Sequence, residues 1–597
     1  MCRIAGFISK HISAQEREHV LHDMVIAMRR GGPDGNGIFT ENQMTLGHAR
    51  LSIIDLSAAG AQPMQDVQKK CCIVFNGEIY NYKTLKAKLV GLGYMFANET
   101  DTEVILNAYL AWGVDSFHIL EGMFSFVLYD KQRQEVYMVR GKNGIKPLYY
   151  YLDDDTLIFA SEVRAFGKLH DKPAVNPHWK TLFLAYGYMP EPETTYKNIK
   201  SLPKAHYLKY HLYDHKYDLV PYFKYTFDTK ITNYADAKRL IKETLTQTVK
   251  SHLISDAPIG IFLSGGLDSS VISLIGDEVH NHRLNTMSAI FEDEEYTERE
   301  YQEEVLSCIN SQHLFYSVSK GDLLSNTNDI MEAMDQPSTD GINSYFISKC
   351  AAEIGIKAVL SGLGADELFG GYPSFRPQFL VSKFSNVSSF LAENLSSFID
   401  EKFRKVVLLK MKKELGHYLM YRTCFSPLSI AQILQADEVE IENFLYQHYA
   451  NISTINSTTF NNMSYLEMNN YMLCQLLRDT DYMSMWHGIE LRVPFLDTNF
   501  VNIMNSLSAH LKMYGENPKQ LLIDSFSDIL PKKIQSRQKK GFIFPFKKWM
   551  KDMEIVNQML YHNNKKIKNL SLQYHADNLH WSRMWALTLH DNWEKYH

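Results

Sequence analysis

Residues Pro258 to Ser273 read PIGIFLSGGLDSSVIS, and this stretch decides the architecture of the larger part of the chain. Ile259, Ile261, Phe262 and Leu263 form the short apolar run of a buried parallel strand. Ser264-Gly265-Gly266 turns the chain, and Asp268-Ser269-Ser270 opens an amphipathic helix. A glycine turn between strand and helix leaves backbone N–H groups at the positive end of the helix dipole, a geometry that holds phosphate. No Gly-Lys-Ser/Thr follows the glycines, so the loop is not a Walker A.

Downstream, strands and helices alternate in the pattern of a parallel sheet with helices on both faces. Tyr234 to Ile254 is a helix leading into the loop, and Leu284 to Phe291 is the next strand. A third strand, Ala358-Val359-Leu360, runs into Ser361-Gly362-Leu363-Gly364-Ala365-Asp366. Ligands of such sheets bind beyond the carboxyl ends of the strands, so the two glycine loops can face one nucleotide. The loop resembles the pyrophosphate loop of ATP pyrophosphatases, which split ATP between the α and β phosphates. That resemblance implies ATP held by Leu263, Ser264, Gly265, Gly266, Leu267, Asp268 and Ser269, with Ala289 along the adenine and Ser361 and Gly362 on the second loop. It also implies Mg²⁺ on Asp268 and Asp366, carboxylates suited to a hard cation. By the residues alone, Asp366 could equally cap a helix.

The 597 residues suffice for two or more domains, each with its own core. A net charge of -6 gives no reason to expect a nucleic-acid partner. Seven scattered cysteines form no disulfide framework. The first residues lack a signal peptide's apolar core, and no apolar run approaches membrane-spanning length, so a cytoplasmic protein with no membrane partner is expected.

Cys2 follows the initiator methionine, whose removal leaves a cysteine with a free α-amine. An α-amine has a pKa of about 8 and can serve as general base for its own thiol. Gly47 to Asp55 alternates like a strand and carries Arg50, whose guanidinium suits an α-carboxylate. Val74 to Asn81 reads as a strand ending in an Asn76-Gly77 turn, where the Asn76 amide and Gly77 N–H can both face an oxyanion. Asp101 reads as the N-cap of the helix that follows. Arg50 as a surface ion pair and Asn76-Gly77 as a plain hairpin turn are the structural alternatives.

Together these pieces, with Leu120 to Phe126, Gly144 to Tyr150 and Phe159 to Glu162, resemble the class II glutamine amidotransferase domain. The resemblance implies that Cys2 attacks the glutamine side-chain amide and that Asn76 and Gly77 form the oxyanion hole. It assigns Arg50, Glu78 and Asp101 to glutamine's carboxylate and ammonium. Leu477 to Met485, Glu490 to Asp497 and Arg537 to Phe542 look like the asparagine synthetase signature and its late lysine motif. Lys539 matches the lysine that stabilises charge in the acyl-adenylate step.

Over nearly its full length the chain is similar to glutamine-hydrolysing asparagine synthetases. The expected fold is an N-terminal nucleophile αββα sandwich over residues 1–215, followed by a parallel-sheet α/β ATP-pyrophosphatase domain over 235–560. A C-terminal helical extension covers 561–597, its final helix docked through Trp581, Trp585, Leu589 and Trp593. Phe379 to Tyr471 reads as core and substrate lid. The implied partners are glutamine and a carboxylate acceptor, aspartate first; a homodimer is an expectation from the resemblance alone. Ammonia in bulk water at neutral pH would become ammonium, so a dry apolar interface between the domains is also expected.

Four departures stand out. The family usually has Gly after the cysteine, where this chain has Arg3. Its His-Arg-Gly-Pro-Asp reads Arg30-Gly31-Gly32-Pro33-Asp34, and its Arg-Asp-Arg reads Arg140-Gly141-Lys142. The basic and the acidic group lost at Gly31 and Gly141 read as a compensated pair. Leu363 stands where a Glu is usual near the tunnel exit, which leaves open amidation of another carboxylate, such as a uronic acid or a peptide side chain. A tRNA-modifying pyrophosphatase would need no glutaminase domain, and a β-lactam-forming cyclase would have no use for Cys2.

Overall fold

The computed structural model describes residues 2–280, 282–292, 298–375, 405–411, 413–515, 517–538 and 544–597. The first domain is built on two six-stranded antiparallel sheets. One runs Ile199–Ser201, Tyr149–Leu152, Thr156–Ala160, Arg3–Ser9, Met44–Arg50, Gly35–Glu41. The other runs Tyr217–Pro221, His206–His211, Glu135–Arg140, Gly122–Asp130, Cys71–Ile79, Met64–Gln65. Its outermost strand, Tyr217–Pro221, lies beyond residue 215, where the sequence reading ends the domain.

Strand alternation explains the layering, because successive side chains point to opposite faces. Ile4, Ile8, Val74 and Val127 meet between the sheets. Their neighbours Phe7 and Ala5 face the helix Ala14–Ala27, with Leu21, Met24 and Val25. Ile73 and Phe75 face the helices Tyr82–Gly91 and Asp101–Trp112, with Leu85 and Ile105. Each fully buried Val, Leu or Phe contributes roughly 1.5–3 kcal/mol. A one-residue slip would therefore exchange the inter-sheet row for the helix-facing row, and the register is fixed. The result is the expected αββα sandwich.

The second domain has one five-stranded parallel sheet in the order Ser311–Val318, Leu284–Phe291, Ile259–Phe262, Ala358–Leu360, Glu490–Arg492. Ala358–Leu360 is the fourth of these strands along the chain, since Ser311–Val318 intervenes. Ala358 and Leu360 face one apolar cluster, with the helices Tyr234–His252 and Leu267–Val279; Val359 faces the other, with Cys350 and Ala351 of Ile342–Glu353. Strand order grows outward in opposite directions from Ile259–Phe262 and Ala358–Leu360. The topological switch point lies between them, where such sheets bind ligands.

Of the expected lid region, 379–404 and 412 lie outside the described residues. The helix Trp581–Tyr596 buries Trp585, Leu589 and Trp593 and packs on the first domain's helix Trp179–Tyr186, with Trp593 and Trp179 ring centres 6.4 Å apart. No helix among the described residues is long and apolar enough to cross a membrane.

Candidate active site

Cys2 enters the strand Arg3–Ser9, and Arg50 ends the neighbouring strand Met44–Arg50. Gly77 and Glu78 come from Cys71–Ile79 of the other sheet, and Asp101 opens the helix Asp101–Trp112. One pocket is lined by Cys2, Arg50, Gly77, Glu78 and Asp101 together. The Cys2 thiol is buried and faces the Leu51 carbonyl oxygen at 3.9 Å. Burial lifts its pKa above the ordinary range, so it needs a base at neutral pH. Arg50 is held at its two terminal nitrogens by the carbonyls of Ser57, at 2.7 Å, and Asp55, at 2.6 Å. No carboxylate pairs with it among the described residues, so its charge stays available to an anion.

Two sequence expectations are corrected here. Asn76-Gly77 is not a turn, for the strand continues to Ile79 and pairs along its length with Gly122–Asp130. At Gly77 φ is +155°, and a Cβ would run into the Met123 carbonyl oxygen, so this glycine serves a close strand crossing. Both polar atoms of the buried Asn76 amide lack a protein partner, as a donor reserved for substrate would, though its side chain does not line the pocket. Asp101 is not the N-cap either. Thr100 caps the helix, accepting from the Glu103 N–H at 3.2 Å, and Asp101 is the first helical residue. The Thr-x-x-Glu spacing is the signal that marks this cap. Asp101 is buried, accepts from the Ile79 N–H at 3.0 Å, and is pushed by burial up to about 7.

Glu78 reaches across the domain boundary. It lies 3.5 Å from Arg492, whose Nε is 2.5 Å from Glu490, all three being buried. Burial and then the charge of Glu490 raise the Glu78 carboxyl, against the pull of Arg492.

In the second domain the loop between Ile259–Phe262 and Leu267–Val279 has Gly265 at φ +77°, with Gly266 at the helix N-cap position and no side chain capping it. Ser264 Oγ accepts from the Gly266 N–H at 3.2 Å and meets Ser269 Oγ at 2.9 Å. The second loop lies against the first, since a Cβ on Gly362 would come within 2.8 Å of the Ser269 nitrogen. The Ser361 N–H donates to the Arg492 carbonyl oxygen at 2.9 Å, and Ala289 lies on the strand Leu284–Phe291. Asp366 is inside the helix Ala365–Phe369, whose N-cap is Gly364, so Asp366 is not a cap.

Asp268 and Asp366 converge on Lys519, which sequence reading missed: its Nζ is 2.6 Å from the first and 2.5 Å from the second. Burial opposes the ammonium's charge, but the two carboxylates outweigh it and raise its pKa. Two carboxylates already gathered around a cation suit Mg²⁺ by donor chemistry, although no larger cluster of metal-binding side chains occurs among the described residues. Mg²⁺ is commonly held by one or two carboxylates together with substrate phosphates. Lys539 lies outside the described residues; Arg537 donates to the Gly265 carbonyl.

Between the two centres an apolar cluster adjoins the buried Glu78, Arg492 and Glu490. Leu51, Ile53 and Met123 of the first domain share a cluster with Leu360, Ala365 and Met485 of the second. Leu363 packs on the adjoining cluster. A Cβ on Gly141 would face the Phe124 backbone, whereas one on Gly31 would face the side chain of Arg3.

One chain carries a buried thiol in a pocket with an arginine and two carboxylates, and a glycine loop between a parallel strand and a helix; the two domains it matches make it a glutamine-dependent amidotransferase ligase. A family model described as asparagine synthase matches residues 240–588, and one described as a glutamine amidotransferase domain matches residues 1–223. The chain belongs to the asparagine synthase family, whose enzymes use ATP. It is 30% identical to asparagine synthetase (glutamine-hydrolyzing) 1 of Bacillus subtilis (strain 168), over 92% of this chain and 88% of that one. It is 28% identical to asparagine synthetase B of Escherichia coli (strain K12), over 91% and 82%. It is 24% identical to a protein named amidase chry2 of Gibberella zeae, over 92% and 90%.

Proposed function

We propose that the protein makes asparagine from aspartate, ATP and glutamine. The reading is supported above all by the pocket that Cys2, Arg50, Gly77, Glu78 and Asp101 line together. With Met1 removed, the α-amine of Cys2 takes the thiol proton and the thiolate attacks the glutamine side-chain amide carbon. The Asn76 amide and Gly77 N–H stabilise the oxyanion, while Arg50 holds the carboxylate and Glu78 and Asp101 the ammonium. The proton returns to the departing ammonia, and water releases glutamate from the thioester. Ammonia crosses the apolar interface without meeting bulk water.

In the second domain the aspartate side-chain carboxylate attacks the α-phosphorus of ATP. Pyrophosphate leaves in the cradle of Leu263 to Ser269, with Ser361 and Gly362 on the facing loop and Ala289 beside the adenine. Asp268 and Asp366 would hold Mg²⁺, which when bound neutralises charge on the polyphosphate. Lys539 stabilises the acyl-adenylate step. Ammonia then attacks the acyl carbon and AMP leaves with the bonding pair. We take 1–215 as the glutaminase unit with the following edge strand added, 235–560 as the synthetase, and 561–597 as a docking extension.

A second reading, amidation of a different carboxylate, is favoured by Leu363, which offers an apolar side chain where the family usually has an acid. Pyrophosphate release with ATP, Mg²⁺ and glutamine, with and without aspartate, distinguishes the two, with products identified by mass. Aspartate-dependent pyrophosphate and asparagine are expected. Glutamate release with no response to aspartate would transfer the conclusion to the second reading.

A further inference from the structure

Arg3 follows the Cys2 position directly, pairs with Ala49 in the sheet, and is fully buried. Its Nε is 2.6 Å from Glu162 of its own domain, and its Nη1 is 2.7 Å from Asp481 on the second domain's helix Leu477–Met485. Asp481 also takes Lys146 Nζ at 2.7 Å, and Glu162 takes Arg164 at 2.8 Å, which in turn lies 3.4 Å from Asp335. Lys146, Asp481, Arg3, Glu162, Arg164 and Asp335 thus form one chain of alternating sign across the domain boundary. A buried charge needs a partner on each side, and a planar guanidinium can serve two acids at once.

The space for this guanidinium is made at Gly31. A Cβ there would stand 2.8 Å from Arg3 Nε and 3.2 Å from the Met485 methyl carbon of the same helix. Two departures that look separate along the sequence are therefore one exchange. The arginine usual at position 31 is gone, and the arginine at position 3 fills the room that its absence opens.

We propose that Arg3 is a positioning residue, tying the strand that begins at the nucleophile to the synthetase helix Leu477–Met485 and so holding Cys2 for attack. The inference rests on the reading of Cys2 as nucleophile. Arg3 touches no substrate; it acts by where it holds the backbone next to the thiol. Misplacement of a reacting group by about 1 Å can cost on the order of a hundredfold.

The test is the rate constant for alkylation of Cys2 by an electrophilic glutamine analogue, followed by mass on the full chain. The rate constant is referred to the folded fraction, fixed by thermal unfolding of each variant, so loss of fold alone is separated from slow attack. Arg3→Gly is expected to slow labelling on the order of ten- to a hundredfold. Asp481→Asn, on the other domain, should slow it in the same direction. The double variant R3G/G31R should return it to within about threefold of the parent, the residual allowing for imperfect geometry. Parental labelling in Arg3→Gly, or a folded double variant as slow as the single one, overturns the proposal. Where Arg3→Gly yields no folded protein, the double variant alone decides: parental labelling supports the proposal and slow labelling refutes it. Labelling of Cys2→Ala at the parental rate would instead remove the nucleophile reading.

Discussion

Asp268 and Asp366, far apart in the chain, are held on a single ammonium. Lys519 Nζ lies 2.6 Å from one and 2.5 Å from the other, and Lys519 is 5% exposed. Lys519→Met removes the cation that both carboxylates share at a half-buried site. The loss expected is about 3 kcal/mol, the low end of the range for breaking a buried pair. Urea unfolding should show it without metal, and millimolar Mg²⁺ should restore part of it by binding the folded state. Unchanged stability in both conditions would remove the shared-cation account.

The two centres should separate by mutation. Cys2→Ala is expected to abolish glutamine-dependent amide formation while ammonium salts still support it. Asp268→Ala should lower pyrophosphate release by about a hundredfold or more, on the scale of losing one electrostatic contact in the transition state. Its basal glutamine hydrolysis should stay near the parental rate. Paired assays of glutamate and pyrophosphate on both variants make the comparison. Loss of both products in folded Cys2→Ala would refute the two-centre scheme.

Binding of glutamine should weaken on the acid side of neutrality. Burial holds the Asp101 carboxyl up at about 7, and Glu78 is raised beside it. On the proposed assignment, a proton below that pH removes the negative charge that would hold the substrate ammonium, so KM rises as pH falls. The limb belongs to the two carboxyls jointly. Asp101→Asn removes a like charge from Glu78, so in that variant the limb should move to lower pH. KM for glutamine hydrolysis measured from pH 5.5 to 8.5, a range spanning about one and a half units either side of the transition, follows both curves. A flat KM in the parent enzyme would end this assignment.

Gly77→Ala places a methyl group against the Met123 carbonyl oxygen on the paired strand. A shift of the strand costing about 1–3 kcal/mol is expected, together with loss of glutamine hydrolysis. Ammonia-dependent synthesis should survive, because the five-stranded parallel sheet of the second domain does not contain this strand. Thermal unfolding and both assays check it; full glutaminase activity would show that the strand position is not needed.

The fold was legible where its cause is local. The apolar run Ile259 to Leu263, the glycines after it and the helix-opening Asp268 specify strand, turn and helix within a few residues. Asn76-Gly77 misled because a strong local turn signal lost to pairing with Gly122–Asp130 across the whole strand. At Asp101 the neighbouring Thr100, with Glu103 three residues on, held the better capping pattern.

Sequence alone determined the chemistry on offer: a cysteine at position 2, two glycine loops after parallel strands, and carboxylates at both. Hydrogen bonding and hydrophobic periodicity act between near neighbours or repeat along the chain, and so can be read there. Only the tertiary structure decided which charges share a site. Lys519 with Asp268 and Asp366, Glu78 with Arg492, and Arg3 with Asp481 are pairings between distant segments. A buried charge is tolerated only beside its counter-charge, so partner choice follows from folded proximity and loss of water, which no local pattern encodes.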